Sequence, residues 1–239
     1  TLLNISSFTG SVTFNILPGT YTTPADWQVI VGAVSGASAT NRITFQAQAP
    51  GTVTINVAGT NTANYVIKLD GASYVDLKNL VLVNSGTSYG RVVELAGSAS
   101  YDSVVRCRLT GVSTTSNSND RAVIYANNTG SMISNVIKAD TIQNGSHGIY
   151  WWSPSTNSVT HTFSNNVISG SREAYLYART LSNATITGNI CSASGVGTHY
   201  GFYVPYSQNG YTMTGNTITT SGSGDVYGVY NTYCNNTSA

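Results

Sequence analysis

A single unit is written over and over along this chain, and no other property restricts its fold as tightly. Tyr200-Gly-Phe-Tyr-Val-Pro-Tyr206, with Thr212-Met-Thr-Gly-Asn-Thr-Ile218 behind it, is one copy. Its glycine, Gly201, returns 27 residues later as Gly228 in Tyr227-Gly-Val-Tyr230, and stands earlier as Gly148 in His147-Gly-Ile-Tyr150. Glu173-Ala-Tyr-Leu-Tyr177 reads as the copy between. A second landmark keeps step: Phe163-Ser-Asn-Asn-Val-Ile168, Ile186-Thr-Gly-Asn-Ile-Cys191 and Met213-Thr-Gly-Asn-Thr-Ile218 share the template apolar, polar, small, Asn, any, apolar. A fixed period in this range marks a stacked repeat architecture, in which each unit buries its apolar face only against its neighbours.

Each copy holds two or three short runs of Val, Ile, Thr and Tyr separated by Ser, Gly and Asn clusters, and none contains a stretch of helical period. That pattern predicts a coil of parallel strands, each turn lying about 4.8 Å from the one before. In one strand Ile67, Val93, Val123, Trp151, Leu176 and Val204 align as an inward column, with Ile149, Ala174, Phe202 and Val229 two residues earlier. Alternation then turns outward Tyr150, Tyr175, Tyr203 and Tyr230, and after them Lys68, Glu94, Ile124, Trp152, Tyr177 and Pro205. Lys68 and Glu94 fall on adjacent turns as an ion pair. In another strand the column Leu80, Cys107, Asp140, Asn166, Asn189, Asn216 switches to Asn in the later copies. Asn tolerates the bent backbone of a corner, and stacked amides bond to one another and to backbone at each turn.

Repeats of the form x-Gly-Asn-x-Ile with a stacked Asn at a turn resemble the right-handed parallel β-helix of the pectate-lyase-like superfamily. The opening Val12-Thr-Phe-Asn-Ile-Leu-Pro-Gly-Thr-Tyr21 is similar to the first coil of such domains. The expected fold is therefore all-β, a single-stranded right-handed parallel β-helix of about seven to eight coils of roughly 27 residues. Residues 1–41 are expected to form an N-terminal cap and first coil, and residues 42–239 the repeats, cut at the C-terminal end. The resemblance implies either an enzyme on polysaccharides or a surface protein of the secreted bacterial adhesin type, because fold alone does not decide function.

Composition narrows the partners. Charged residues are 8% of the chain, 10 Lys plus Arg against 9 Asp plus Glu, so the basic patch that nucleic acid or an anionic membrane surface requires is missing. No run approaches the ~18 apolar residues of a membrane span. Cys107, Cys191 and Cys234 are too few and too far apart for a disulfide framework or a zinc cluster. Cys191 takes the repeat position of Ile168 and Ile218 and is read as a small buried apolar residue.

Two groups of residues can carry function. The first is the outward aromatic column, Tyr150, Tyr175, Tyr203 and Tyr230 flanked by Trp152 and Tyr177, where rings at turn spacing can meet sugar rings and phenols can bond hydroxyls. The same column has a purely structural reading, ring against ring stabilising neighbouring turns by about 0.2–1 kcal/mol per pair. The second is a ridge just before each strand that gathers Asp120, His147, Arg172, Glu173 and His199. An acid, a base and an Arg within two or three turns can support β-elimination or hydrolysis of a polysaccharide, and the same groups equally form a solvated corner. The superfamily's calcium-holding carboxylate cluster has no counterpart here: Asp76 and Asp102 neighbour each other in adjacent copies without a third carboxylate, and a calcium site takes about 6–8 oxygens. No cofactor and no metal site are expected.

The favoured expectation is a non-catalytic, secreted or cell-surface segment that holds a polysaccharide or cell-surface glycan on the aromatic column. The alternatives are a polysaccharide lyase or glycoside hydrolase acting at the ridge, and a structural spacer or filament subunit that self-associates or continues into further domains beyond residue 239.

Overall fold

A computed structural model describes residues 9–23, 28–127, 130–152, 159–193, 197–207, 210–221 and 224–233. Three parallel sheets of eight strands each wrap the chain into a β-helix of about seven turns. The first sheet stacks Val12–Ile16, Ile43–Ala47, Val75–Lys78, Ser103–Val105, Val136–Lys138, Thr162–Ser164, Ala184–Thr187 and Tyr211–Thr214. The second stacks Gly19–Thr23, Val53–Val57, Val81–Asn84, Arg108–Thr110, Thr141–Gln143, Val167–Ser169, Ile190–Ala193 and Thr217–Thr220. The third stacks Val29–Gly32, Ile67–Asp70, Val93–Ala96, Ile124–Asn127, His147–Trp152, Ala174–Arg179, His199–Tyr203 and Val226–Tyr230. The regular coil is already under way at Val12, whose strand pairs with Ile43–Ala47. The helical content of the described residues is one 3-10 turn, Asn119–Arg121, and no helix among them is long and apolar enough to cross a membrane.

The core is the tube interior. Leu77, Val104, Ile137, Phe163 and Ile186 continue one another on the first sheet, and Leu82, Leu109, Ile142, Ile168 and Cys191 on the second, all 0–1% exposed. Cys191 thus sits where the repeat template puts it; Cys107 is likewise buried and free, and Cys234 lies outside the described residues.

From Asn79 onward the corner between the first and second sheets takes only two residues per turn. One adopts positive φ, in succession Asn79, Arg106, Ala139, Asn165, Gly188 and Gly215. The next is the expected column: Leu80, Cys107, Asp140, Asn166, Asn189 and Asn216. Each Asn side chain binds two turns at once. Asn189 Oδ1 accepts from Asn166 N (3.0 Å) while its Nδ2 donates to Phe163 O (2.9 Å), and Asn216 does the same for Asn189 N and Ile186 O (2.9 and 2.8 Å). Buried backbone groups that a sharp corner would orphan are satisfied this way.

A second ladder of the same kind, which the sequence reading missed, lines the entry to the first sheet. Positive-φ residues Tyr74, Tyr101, Ser134 and Thr160 each precede a ladder residue. Val75 N donates to Asp102 Oδ1 (2.8 Å), Asp102 N to Asn135 Oδ1 (2.9 Å) and Asn135 N to His161 Nδ1 (3.2 Å). Because the ladder residues here are Val, Asp, Asn and His, no common letter betrays the column.

The third sheet departs from strict alternation. At its entry two successive amides share one carbonyl of the next turn: Val66 and Ile67 N both donate to Val92 O, and Val92 and Val93 N to Val123 O. This bulge-like step buries two neighbours in a row, Val92 with Val93 and Val123 with Ile124. The inward column is consequently Ile67, Val93, Ile124, Ile149, Leu176, Phe202, not the one expected. Val123, Trp151 and Val204 are buried as expected, but from neighbouring columns.

Candidate functional site

The outward face of the third sheet carries the aromatic surface. Its register runs Lys68, Glu94, Tyr125, Tyr150, Tyr177, Tyr203, Tyr230 along seven successive turns. Lys68 and Glu94 are neighbours as expected, 3.8 Å apart. Arg91 lays its guanidinium 3.5 Å from the Tyr125 ring centroid and bonds Glu94 (3.0 Å), closing the N-terminal end of the row. Tyr125 stacks on Tyr150 (5.4 Å, 15°) and Tyr150 on Tyr177 (4.8 Å, 4°). From there the rings turn: Tyr177 to Tyr203 and Tyr203 to Tyr230 meet edge to face, at 81° and 74°.

Tyr175 is a correction. The sequence alignment put Glu173 level with Gly148 and Gly201, which sent Tyr175 outward. The register instead puts Tyr175 level with the two glycines, because His147 pairs Ala174 and Ala174 pairs Tyr200. Its ring is fully buried, so it offers nothing to a ligand. Tyr177 takes the outward place. Tyr150, Tyr177, Tyr203, Tyr230 and Trp152 remain outward and partly exposed.

A second line runs beside the first. Trp152 pairs with Arg179, whose guanidinium lies 4.9 Å from the Trp152 ring centroid and 4.6 Å from that of Tyr206 on the other side. Tyr206 stacks on Tyr233 (5.0 Å, 8°). On the opposite flank Tyr200 stacks on Tyr227 (5.3 Å, 17°) and touches Tyr203 (5.1 Å). The last turns therefore present an aromatic plateau rather than a single column. Tyr125 was missed because Val123 and Ile124 are both buried at the bulge-like entry, and the sequence alignment put Val123, one residue early, in the inward column. Tyr206 and Tyr233 were legible, being one 27-residue period apart, but they sit at positive-φ corners outside the strand pattern.

Burial raises the phenol pKa of Tyr150 and Tyr200 and pushes that of Tyr177 up to about 12. These hydroxyls therefore stay protonated, able to donate as well as accept, across the physiological range.

The ridge is less open than its sequence promised. Asp120 belongs to a different cluster, bonded to Arg91 (2.9 Å) and Ser118. His147 and Glu173 do come together on adjacent turns, Nε2 to Oε2 3.7 Å, and His147 Nδ1 meets Ser146 Oγ at 3.1 Å. Burial, at 3% exposure, lowers the His147 pKa to about 4, so the imidazole is neutral, while burial also raises the Glu173 pKa. His199 is 5% exposed with Nε2 2.5 Å from Ser171 O, and Arg172 reaches Thr198 O at 3.5 Å. His199 thus fastens one turn to the next from within, while His147 is a buried neutral ring beside Glu173. Among the described residues no three His, Cys, Asp or Glu side chains are grouped to hold a metal.

Asp76 and Asp102 line one side of a shallow cleft of about 400 Å³ on the first sheet. Asp76 is neutralised in place by Arg42 (2.5 Å), Lys78 (3.1 Å) and Ser103 Oγ (2.5 Å), which hold its pKa below the ordinary value against the opposing effect of burial. Asp102 is committed to the corner ladder.

Chemically, the plateau can bind and the ridge can brace. No protein-family model matches the chain, and no curated protein matches it significantly.

Proposed function

We propose that this chain is a non-catalytic recognition segment of a secreted or surface-exposed protein, and that it holds a polysaccharide along the outward face of the third sheet. The observation that carries the reading is the tyrosine row from Tyr125 to Tyr230, five turns long with ring centroids 4.8–5.4 Å apart, in which Tyr125 is buried and Tyr150, Tyr177, Tyr203 and Tyr230 are partly exposed. That repeat is close to the length of one hexose in an extended glycan, so successive sugars meet equivalent positions. Where rings stack in parallel, from Tyr125 to Tyr177, their faces are spent on each other, and the ligand meets the edges and hydroxyls of Tyr150 and Tyr177. Tyr203 is not stacked face to face on either neighbour in the row, and we read it as the ring that takes a sugar face.

Retention on a panel of immobilised polysaccharides tests this. Tyr177→Ala with Tyr203→Ala should reduce retention at least tenfold, while Glu173→Gln and Asp120→Asn should leave it unchanged. Release of reducing ends or unsaturated products by the purified chain, lost in Glu173→Gln, would move the assignment to an enzyme acting at the ridge.

A further inference from the structure

We infer that Arg179 is an oxyanion-reading point on this face, so that the glycan held there carries carboxylate or sulfate groups. This rests on the glycan-binding reading above. Arg179 is held between Trp152 and Tyr206, ring centroids 4.9 and 4.6 Å from its guanidinium carbon. Rings on both sides cover the guanidinium and leave its N–H fork at the edge as the accessible part. Arg42, Lys68, Lys78 and Arg91 are ion-paired and Arg106 and Arg108 bond to the side-chain oxygens of Asn79 and Gln143, whereas no carboxylate among the described residues lies within ion-pair distance of Arg179. The surroundings do not supply one either. From residue 141 to the end the chain contains four charged side chains, Arg172, Glu173, Arg179 and Asp225, and Glu173 lies at the opposite end of the Arg179 strand.

A planar fork locked in position, with its charge unmatched, is the arrangement that recognises a carboxylate or sulfate in bidentate fashion. Tyr177 stands two residues earlier on the same strand and the same face, so a sugar seated on the tyrosine row carries its substituents toward Arg179. The two aromatic neighbours also fix the fork before the ligand arrives, so little side-chain freedom is lost on binding.

The probes are three matched polymers on one surface: chondroitin sulfate, chemically desulfated chondroitin, and the same backbone with its carboxylates reduced. Wild type should be retained at least tenfold better on either anionic form than on the neutral one, with the preference weakening as salt rises. Comparing the two anionic forms tells sulfate from carboxylate. Arg179→Gln should bring anionic retention down to the neutral level and leave neutral retention unchanged. Arg179→Lys, which keeps the charge but loses the fork, should recover less than half of the preference. Thermal midpoints measured for each variant separate a binding loss from unfolding. Equal retention of all three polymers by wild type, or undiminished anionic preference in Arg179→Gln, overturns this inference and leaves glycan binding standing. Absence of retention on every polysaccharide of the wider panel as well overturns both.

Discussion

Replacing Asp140 by asparagine should stabilise the protein at alkaline pH and leave it unchanged in acid. Asp140 occupies the corner column that Asn166, Asn189 and Asn216 continue, and its Oδ1 does the work of an Asn oxygen, accepting from Cys107 N at 2.6 Å. The other atom differs. Asn166 Nδ2 donates to Ile137 O (3.0 Å), and the equivalent acceptor one turn earlier is Val104 O, since Val104 pairs with Ile137. At that place Asp140 has a buried oxygen, Oδ2, with no partner. A carboxylate there meets a carbonyl, whereas a neutral carboxyl donates its proton to it. Burial accordingly raises the Asp140 pKa to about 8 from the ordinary 3.8, and Asp102, in the second ladder, to about 7. The folded state keeps these protons over a range where the unfolded chain has lost them. The associated stability is complete below about pH 4 and is lost as pH rises through about 8. Each pH unit is worth about 1.4 kcal/mol, so for Asp140 the full loss is on the order of 5 kcal/mol, an upper figure that local relaxation reduces. Urea unfolding at pH 4.5 and pH 9 measures it. Asp140→Asn should gain at least about 2 kcal/mol over wild type at pH 9 and change less than about 1 kcal/mol at pH 4.5. An equal effect at the two pH values, or a net loss at pH 9, would refute the neutral-carboxyl ladder.

Buried histidines set the acid side. Burial lowers His147 to about 4 and His161 to about 3 from the ordinary 6.5, so the stability they contribute is present above pH 6.5 and is lost as pH falls toward 3. With two carboxyls pulling one way and two imidazoles the other, thermal midpoints across pH should show a plateau between about pH 4 and 6.5 and fall on either side. Gly148→Ala should cost about 1–3 kcal/mol in urea unfolding, because a Cβ there lies 2.5 Å from Ile168 Cγ2 and 2.8 Å from Tyr175 O. Trp151→Ala empties a fully buried site beside His161 and Phe163, and a loss of about 3–5 kcal/mol is expected by the same measurement.

Much of the architecture was legible because a solenoid repeats its physics in one dimension. The Phe163–Ile186–Met213 and Ile168–Cys191–Ile218 columns and the corner from Leu80 to Asn216 could be read directly, since in each of them the pattern of apolar or corner residues survives from turn to turn. The third sheet could not. Its bulge-like entry buries two neighbours, so period-2 counting slips there by one or two residues, and the slip exchanged Tyr175 for Tyr177 in the one column on which a functional claim rested. The second corner ladder was invisible for a different reason: its position is defined by a backbone conformation and an acceptor atom, which Asp102, Asn135 and His161 all supply with different letters. By itself, then, the sequence determined that the chain coils, with what period, and which residues of the first two sheets fill the tube, because those depend on local pattern. Only the tertiary structure decided which rings face out, which carboxyls stay neutral and that Arg179 lies between two aromatic rings. Those properties belong to contacts between turns, and a slip of two residues in register is enough to reverse them.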